Sequence, residues 1–134
     1  MCCDSITNNF IRNILVVDDE ENARICLSNL LSAEGYMVSA AGDGQEALDY
    51  LQRGQYQLVI TDINMPRMNG LDLADTICTQ HPGLDVIMMT AFGGVDSYVK
   101  AMQLGVFEYL YKPVKLDELK GIMQKLSIAR ESLS

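Results

Sequence analysis

The sequence predicts a single α/β domain in which a parallel sheet of five strands is covered by helices on both faces. Three observations lead to this prediction: a length of 134 residues, a hydrophobic fraction of 49%, and five short apolar runs that alternate with helical patterns. The length fits one domain, and the apolar fraction is enough for a core. Alternation of this kind is typical of parallel sheets packed between helices. We expect the domain to span residues 12–130, with tails at 1–11 and 131–134.

The predicted strands are short apolar runs, several of them rich in β-branched residues, as is typical of buried strands. They cover residues 14–17, 36–40, 58–61, 86–89 and 107–110. No candidate functional side chain follows the second run. We therefore expect the second strand to lie at the margin of the sheet.

Each helical pattern repeats apolar residues at steps of three and four, which places them on one face of a helix. The first helix ends at Gly35, the second follows Asp43 and ends at Gly54, the third closes before Pro82, and the fourth ends at Gly105. We expect the stripe of the second helix to point inward. The stripes are Ala23, Cys26, Leu27, Leu30 and Leu31; Ala47, Leu48 and Leu51; Leu73, Ala74, Ile77 and Cys78; Val95, Tyr98, Val99 and Met102; and Leu119, Ile122, Met123 and Leu126.

The charge and composition argue against several classes of function. Acidic residues outnumber basic ones by 18 to 10, and the net charge of -8 repels phosphates, so we expect no direct binding to nucleic acid. The same excess would also serve solubility alone. The longest apolar stretch, 86–95, is too short to cross a bilayer, and the first ten residues do not resemble a signal peptide. We expect no membrane insertion and a cytoplasmic location. The cysteines show no metal-ligand or redox spacing.

Polar side chains follow four of the five predicted strands. Asp18 and Asp19 follow the first, Asp62 the third, Thr90 the fourth and Lys112 the fifth. Right-handed crossovers bring the carboxyl ends of parallel strands to one edge of the sheet, and ligands of open α/β sheets bind outside that edge. We therefore expect these five side chains to lie close together.

Each acidic residue, taken alone, has a simpler explanation as a cap of the following helix. For the group as a whole this explanation is poor, because carboxylates follow two different strands and a lysine follows a third. Three carboxylates close together repel one another unless a cation joins them, and oxygen ligands favour Mg²⁺. A carboxylate can attack phosphorus to give an acyl phosphate, while an ammonium and a hydroxyl bind the other oxygens. The pattern indicates phosphoryl transfer by positioning and electrostatics.

Four segments carry a resemblance to a known family: VVDDE (16–20), TDINMPRMNG (61–70), MMTAFG (88–93) and FEYLYKP (107–113). In this order they resemble the signatures of the receiver domain of two-component response regulators, over about residues 11–130. The resemblance implies a flavodoxin-like (βα)5 fold with the strand order 2-1-3-4-5, which is the order the chemotaxis regulator of this family shows.

The resemblance implies a metal and acceptor site. Asp62 matches the phospho-acceptor, Asp19 the carboxylate that binds Mg²⁺ directly, and Asp18 its neighbour, which acts through water. Asn64 matches the position whose backbone carbonyl completes the metal site. Ala91 matches the small residue that leaves room for the phosphoryl group, and we expect Asn64 and Ala91 to border that group.

The resemblance also implies a switch. Thr90 matches the switch hydroxyl, Lys112 the lysine that pairs with the phosphate, and Tyr109 the aromatic residue that rotates in response. The peptide bond before Pro113 is expected to be cis. Phosphorylation is then expected to change the face formed by the fourth helix, the fifth strand and the fifth helix.

The partners implied are a sensor histidine kinase or a phosphotransfer protein, and a second copy of the chain bound through the changed face. The run 88–125 is most similar to receivers of NtrC-type regulators of enhancer-dependent transcription. Phe92 places a bulky apolar side chain near the expected path of the hydrolytic water. We therefore expect slow loss of the phosphoryl group.

Three other functions remain as alternatives. A flavin- or nucleotide-binding module on this fold would have a glycine-rich loop after the first strand, where this chain has acidic residues. A pseudo-receiver would keep the fold as an interaction module without the chemistry. A hydrolase would need a general acid for its leaving group, and no residue is evidently placed as one. We expect no enzyme beyond the phosphorylation and dephosphorylation of the chain itself.

Overall fold

Five strands and five helices alternate along residues 10–132, the part of the chain that the computed structural model describes. The strands are β1 (Asn13–Val17), β2 (Met37–Ala41), β3 (Leu58–Asp62), β4 (Asp85–Thr90) and β5 (Glu108–Tyr111). The helices are α1 (Glu21–Ala33), α2 (Gly44–Arg53), α3 (Gly70–Gln80), α4 (Val95–Gln103) and α5 (Leu116–Glu131). Every strand boundary lies within one residue of its predicted position.

The five strands are all parallel and lie in the order β2-β1-β3-β4-β5. This confirms the flavodoxin-like arrangement, and it confirms that the second strand is at a margin. β2 pairs with one side of β1, and β3, the next strand along the chain, pairs with the other side of β1. The strand order therefore reverses between β1 and β3, which opens a crevice at their carboxyl ends.

Alternate residues of the strands point to opposite faces of the sheet and form two apolar cores. Leu15 and Val59 belong to the core beneath α2, α3 and α4, whereas Ile14 and Ile60 belong to the core beneath α1 and α5. All four side chains are fully buried. Burial on both faces explains why the strands read as continuous apolar runs rather than as alternating ones.

The apolar stripe of α4 faces solvent and not the core. The α4 stripe consists of Val95, Tyr98, Val99 and Met102, all of them exposed. Ala101 is the buried residue of the helix, and Leu104 just beyond it packs against the core. At 100° per residue this inward side lies opposite the stripe. Periodicity identifies an apolar face but not its partner, and here Val106 and Tyr109 already fill the core beside α4.

The two helical cysteines depart from what the sequence predicted for them. Cys26 of α1 and Cys78 of α3 are both exposed, although each was placed on an apolar stripe. Cys26 is at the edge of its stripe, and Leu27 and Leu31 make the buried contacts of α1 instead. The Cys78 thiol donates a hydrogen bond to the carbonyl of Leu104 at 2.8 Å.

Two helices begin at side-chain caps. The Asp43 carboxylate accepts a hydrogen bond from the Glu46 N–H at the start of α2, and the Asn69 side chain accepts one from the Asp72 N–H at the start of α3. Among the described residues, no helix is long and apolar enough to cross a membrane. The predicted tails lie mostly outside the described range, and α5 continues to Glu131, so the limits 12–130 stay a prediction.

Candidate functional site

Four of the predicted side chains meet at the carboxyl edge of the sheet, because each ends a strand or follows one directly. Asp18 follows β1, Asp62 ends β3, Thr90 ends β4 and Lys112 follows β5. Asp18, Asp62 and Thr90 are buried, and only 1%, 6% and 0% of their surfaces are exposed. Asp19 is exposed at the rim. Charges buried this far from water must be paired.

Lys112 supplies the pairing charge. Its Nζ atom donates hydrogen bonds to Asp18 Oδ2 at 2.7 Å and to Asp62 Oδ2 at 2.9 Å. The ammonium therefore joins the ends of β1 and β3 from the far side of β4. The backbone of Lys112 is bound to the end of β4, because its N–H donates a hydrogen bond to the Thr90 carbonyl at 2.8 Å.

The pKa values of Asp62 and Lys112 reflect a site in which several carboxylates surround one ammonium. Burial raises the pKa of Asp62 above its ordinary value and Asp18 adds to the rise, while Lys112 and the Asn64 N–H oppose it. Burial alone would lower the pKa of Lys112. Hydrogen bonds to Asp18 and Asp62 and their charges outweigh burial, so the pKa of Lys112 lies above its ordinary value. The ammonium is therefore firmly protonated at neutral pH.

Each buried aspartate is oriented by a backbone N–H two residues further along the chain. Asp18 Oδ1 accepts from the Glu20 N–H at 3.0 Å, and Asp62 Oδ1 accepts from the Asn64 N–H at 3.2 Å. In both cases the second oxygen of the carboxylate binds Lys112. Glu20, at the N-cap of α1, makes no side-chain cap. The acidic residues after β1 therefore do not serve as ordinary side-chain caps.

The three carboxylates fit a hard divalent cation. Asp18, Asp19 and Asp62 each offer an oxygen, and these oxygens all lie within 4.8 Å of one another. All the donors are oxygen, which suits Mg²⁺ or Ca²⁺ better than a softer metal. One ammonium against three carboxylates leaves an excess of negative charge that a divalent cation would balance.

Thr90 lies between the acceptor loop and the loop after β4. Its Oγ1 accepts a hydrogen bond from the Asn64 side-chain amide at 3.2 Å and another from the Phe92 N–H at 3.1 Å. Ala91 is exposed at the mouth of the site. Phe92 has 87% of its surface exposed and does not pack over the carboxylates.

Tyr109 occupies a buried position behind Thr90. Its ring makes edge contacts with Tyr98 and Tyr111, with centroids 5.4 and 5.5 Å away. Burial raises the pKa of the Tyr109 phenol above its ordinary value, and Tyr111 adds to the rise. The Tyr109 hydroxyl is buried without a hydrogen-bond partner. Further along, the peptide bond before Pro113 is cis.

Sequence reasoning missed two contributions to the site. Arg24 of α1 donates from Nη1 to the Asp18 carbonyl at 2.8 Å, and so ties the end of β1 to the helix that follows. The Asn64 side chain donates a hydrogen bond to Thr90, whereas the sequence analysis placed Asn64 only in the metal site and beside the phosphoryl group. Neither contact has a local signal, because each partner is identified only once the loops are placed in space.

The sheet is flavodoxin-like and has buried carboxylates at its carboxyl edge. These two features define the general class of this protein, an α/β domain that binds ligands where its strand order reverses. The chain belongs to the response regulator receiver domain family, whose model matches residues 14–124. The resemblance seen in the sequence is thereby confirmed. Members of this family are signalling domains of two-component systems.

Relatives of this chain include transcription regulators of the predicted type. Regulatory protein AtoC of Escherichia coli K12 is 36% identical over 115 residues, which is 86% of this chain and 25% of AtoC. The DNA-binding transcriptional regulator NtrC of Proteus hauseri is 37% identical over 113 residues, or 84% of this chain and 24% of NtrC. The chain thus spans about a quarter of the length of these relatives.

Solved structures agree with the fold. A response regulator receiver domain protein from Clostridium thermocellum superposes with a TM-score of 0.85 at 32% identity. The match covers 92% of this chain and all of that protein. The whole described domain therefore has the architecture of a receiver.

Proposed function

We propose that this chain is a signalling switch in which Asp62 accepts a phosphoryl group. One observation carries the proposal: the buried Asp62 carboxylate shares the Lys112 ammonium with Asp18, beside a third carboxylate from Asp19. This set can bind a divalent cation and the oxygens of a phosphoryl group at once. Membership in the receiver family supports it. The unit that carries the function spans residues 12–130.

In the transfer, an Asp62 carboxylate oxygen forms a bond to phosphorus as the donor's bond to phosphorus breaks, and the electron pair of that bond leaves with the donor. Lys112 binds one oxygen of the transferring group, and the Thr90 hydroxyl binds another. Asn64 and Ala91 border the group. The chain contributes by positioning these charges and hydrogen-bond donors in advance, which is the main source of catalysis in phosphoryl transfer.

The cofactor is Mg²⁺, held by the carboxylates of Asp18, Asp19 and Asp62 and by the Asn64 backbone carbonyl. When bound, Mg²⁺ neutralises negative charge on the transferring group. The proximity of the three carboxylates supports this assignment. So does the charge count, since Lys112 offsets only one of them.

The donor is a sensor histidine kinase or a phosphotransfer protein, which binds beside α1. A cavity of about 420 Å³ lies between α1 and the loop after β5. Apolar side chains such as Leu27 and Leu30 line it on one side and Val114 on the other, and Asp18 and Lys112 form its inner end. A donor side chain entering there would reach Lys112, whose ammonium also contacts Asp62.

Phosphorylation shifts the conformation of Thr90 and Tyr109 and changes the face built from α4, β5 and α5. That face is the surface through which a second copy binds. The output is protein interaction, with no direct contact between this chain and nucleic acid or membrane. The switch acts in the cytoplasm.

Mass spectrometry of the intact chain tests the proposal. After incubation with Mg²⁺ and acetyl phosphate, we expect the wild type to gain one phosphoryl group. EDTA should prevent the gain, and Asp62→Asn should abolish it. The matched control is Asp75→Asn, an exposed acidic residue on α3, which should be phosphorylated like the wild type. No gain in the wild type would instead favour a pseudo-receiver that binds partners without phosphate.

A further inference from the structure

Gly93, in the loop between β4 and α4, occupies a point where there is no room for a side chain. A Cβ atom at this position would lie 2.4 Å from the Tyr109 hydroxyl oxygen and 2.6 Å from the Thr90 methyl carbon. Both distances are far shorter than van der Waals contact. The φ angle of Gly93 is not positive, so the backbone would accept alanine without strain. What this position requires is space.

Neither neighbour can give way cheaply. Tyr109 is 93% buried, since 7% of its surface is exposed, and its ring is held between Tyr98 and Tyr111. The Thr90 hydroxyl accepts hydrogen bonds from Asn64 and Phe92, so turning the methyl away would break the contacts that orient the hydroxyl. A packed interior transmits such a displacement instead of absorbing it.

We propose that Gly93 is a positioning residue whose missing side chain admits the Tyr109 ring to its buried place beside Thr90. The occupancy of that place is thereby set by residue 93 as well as by phosphorylation. Alanine at this position displaces the Tyr109 ring outward and separates it from Thr90. The proposal deepens the proposed function, because it concerns the regulation of the same switch, but its structural part holds for the unphosphorylated chain.

The neighbouring glycine provides a matched control. Gly94 is the N-cap of α4 with a φ angle of -109°, and a Cβ atom there would meet nothing within 4 Å. Gly94→Ala therefore makes the same chemical change, one residue away in the same loop, without the two contacts. A difference between the two variants reports the space at Gly93 and not a general effect of stiffening the loop.

The test is NMR of the full chain with carbon-13 in its tyrosine rings and methyl groups. Tyr109→Phe assigns the Tyr109 signals among the six tyrosines. We expect the wild type and Gly94→Ala to show a nuclear Overhauser effect between the Tyr109 ring and the Thr90 methyl group. In Gly93→Ala this effect should be lost, and the ring signals should move towards those of exposed tyrosines. Unchanged Tyr109 signals in a folded Gly93→Ala variant would overturn the proposal.

Thermal unfolding covers the case in which Gly93→Ala folds poorly. The hydroxyl oxygen of Tyr109 is the atom nearest the added methyl group, and the next ring atom is at 3.2 Å. In a Tyr109→Phe background, we expect the fall in Tm caused by Gly93→Ala to be cut to about half. The fall remains in part because the Thr90 methyl is still close. An equal fall in both backgrounds would mean that Tyr109 is not what Gly93 accommodates, and would refute the proposal.

Phosphorylation is measured separately on the same samples. If the wild type gains no phosphoryl group, the proposed function fails, yet the NMR comparison of unphosphorylated variants still decides the role of Gly93. If the wild type is phosphorylated, we expect phosphorylation to shift the Tyr109 signals in the wild type and in Gly94→Ala, and to shift them much less in Gly93→Ala. An equal shift in all three would contradict the coupling.

Discussion

Lys112 decides the charge of the site at the scale of single residues. Its ammonium contacts two buried carboxylates that would otherwise face each other without compensation. The same ammonium would repel a divalent cation that approached the carboxylates from the side that Lys112 occupies. We therefore expect Lys112 to stabilise the metal-free fold and, through charge repulsion, to weaken the binding of a divalent cation.

Replacing this lysine should separate the two effects. In EDTA we expect Lys112→Met to lower the free energy of unfolding by on the order of 3 kcal/mol, because it leaves buried charges unpaired. Added Mg²⁺ should then stabilise the variant more than it stabilises the wild type. Urea unfolding with and without Mg²⁺ measures both quantities.

A surface lysine serves as the control for this prediction. Lys120 pairs with Glu34 at 3.7 Å, and 54% of the lysine side chain is exposed. Exposed pairs contribute about 1 kcal/mol or less, so Lys120→Met should change stability little and leave the effect of Mg²⁺ unaltered. A similar Mg²⁺ response in both variants would show that Lys112 does not compete with the cation.

We expect Phe92 to affect the rate at which the phosphoryl group is lost. Its apolar side chain lies two residues past Thr90 and can cover a phosphoryl group only from the solvent side, since 87% of its surface is exposed. We expect the phosphorylated wild type to lose its phosphoryl group slowly, and Phe92→Ala to lose it severalfold faster. Intact mass followed over time after donor removal measures the decay. Met37→Ala, an exposed apolar residue on β2, should decay like the wild type, and a wild-type lifetime of seconds would contradict the prediction.

At the scale of elements, α4 is the helix with the least to hold it. Its apolar residues lie in solvent, and Ala101 makes its buried contact with the core. Helices of this length owe most of their stability to packing. A helix attached through so small a buried face can shift at low cost, which suits the proposed response of α4 to Thr90 and Tyr109.

Introducing leucine on the two sides of α4 should therefore have unequal consequences. Ala101→Leu adds bulk where none of the side chain is exposed, so we expect a loss of about 1–3 kcal/mol in the free energy of unfolding. Val99→Leu adds bulk in solvent and should change stability by less than about 0.5 kcal/mol. Denaturant unfolding of both variants tests this. If Val99→Leu were as costly as Ala101→Leu, the outward orientation of the α4 stripe would be wrong.

At the scale of the whole molecule, the exposed apolar surface is concentrated on one side. Phe92, the α4 stripe and Tyr111 are exposed around α4 and β5. The net charge of -8 opposes self-association of the unphosphorylated chain. Apolar contact must therefore outweigh charge repulsion for two copies to bind, and a change in this face on phosphorylation would provide it.

Sedimentation at about 0.15 M salt, where charges are screened beyond roughly 8 Å, should detect this association. We expect the phosphorylated wild type to form dimers and the unphosphorylated chain to stay monomeric. Val95→Lys, at a position 78% exposed on α4, should weaken the dimer by severalfold or more. Met37→Lys makes the same charge change at a position 65% exposed on β2, and should have no effect. Equal weakening by both variants would exclude the α4 side as the interface.

The order of elements and the identity of the site residues could be read from the chain itself, for physical reasons. Buried parallel strands must be continuous apolar runs, so each strand was located to within one residue. The carboxyl ends of such strands share one edge, so Asp18, Asp62 and Lys112 could be grouped before any contact was known. The receiver signatures then supplied the strand order and the expected roles.

Tertiary structure alone decided which face of a helix is inward and which loops meet. Periodicity marks an apolar stripe but not its neighbour, so the sequence did not show that the α4 stripe faces solvent. The contacts of Arg24 with the Asp18 carbonyl and of Asn64 with Thr90 join segments that carry no signal of each other. The sequence also does not show whether a glycine is needed for its backbone angle or because a side chain would not fit. Only the packed positions of Thr90 and Tyr109 show that Gly93 serves a space, because close packing depends on distances between residues far apart in the chain.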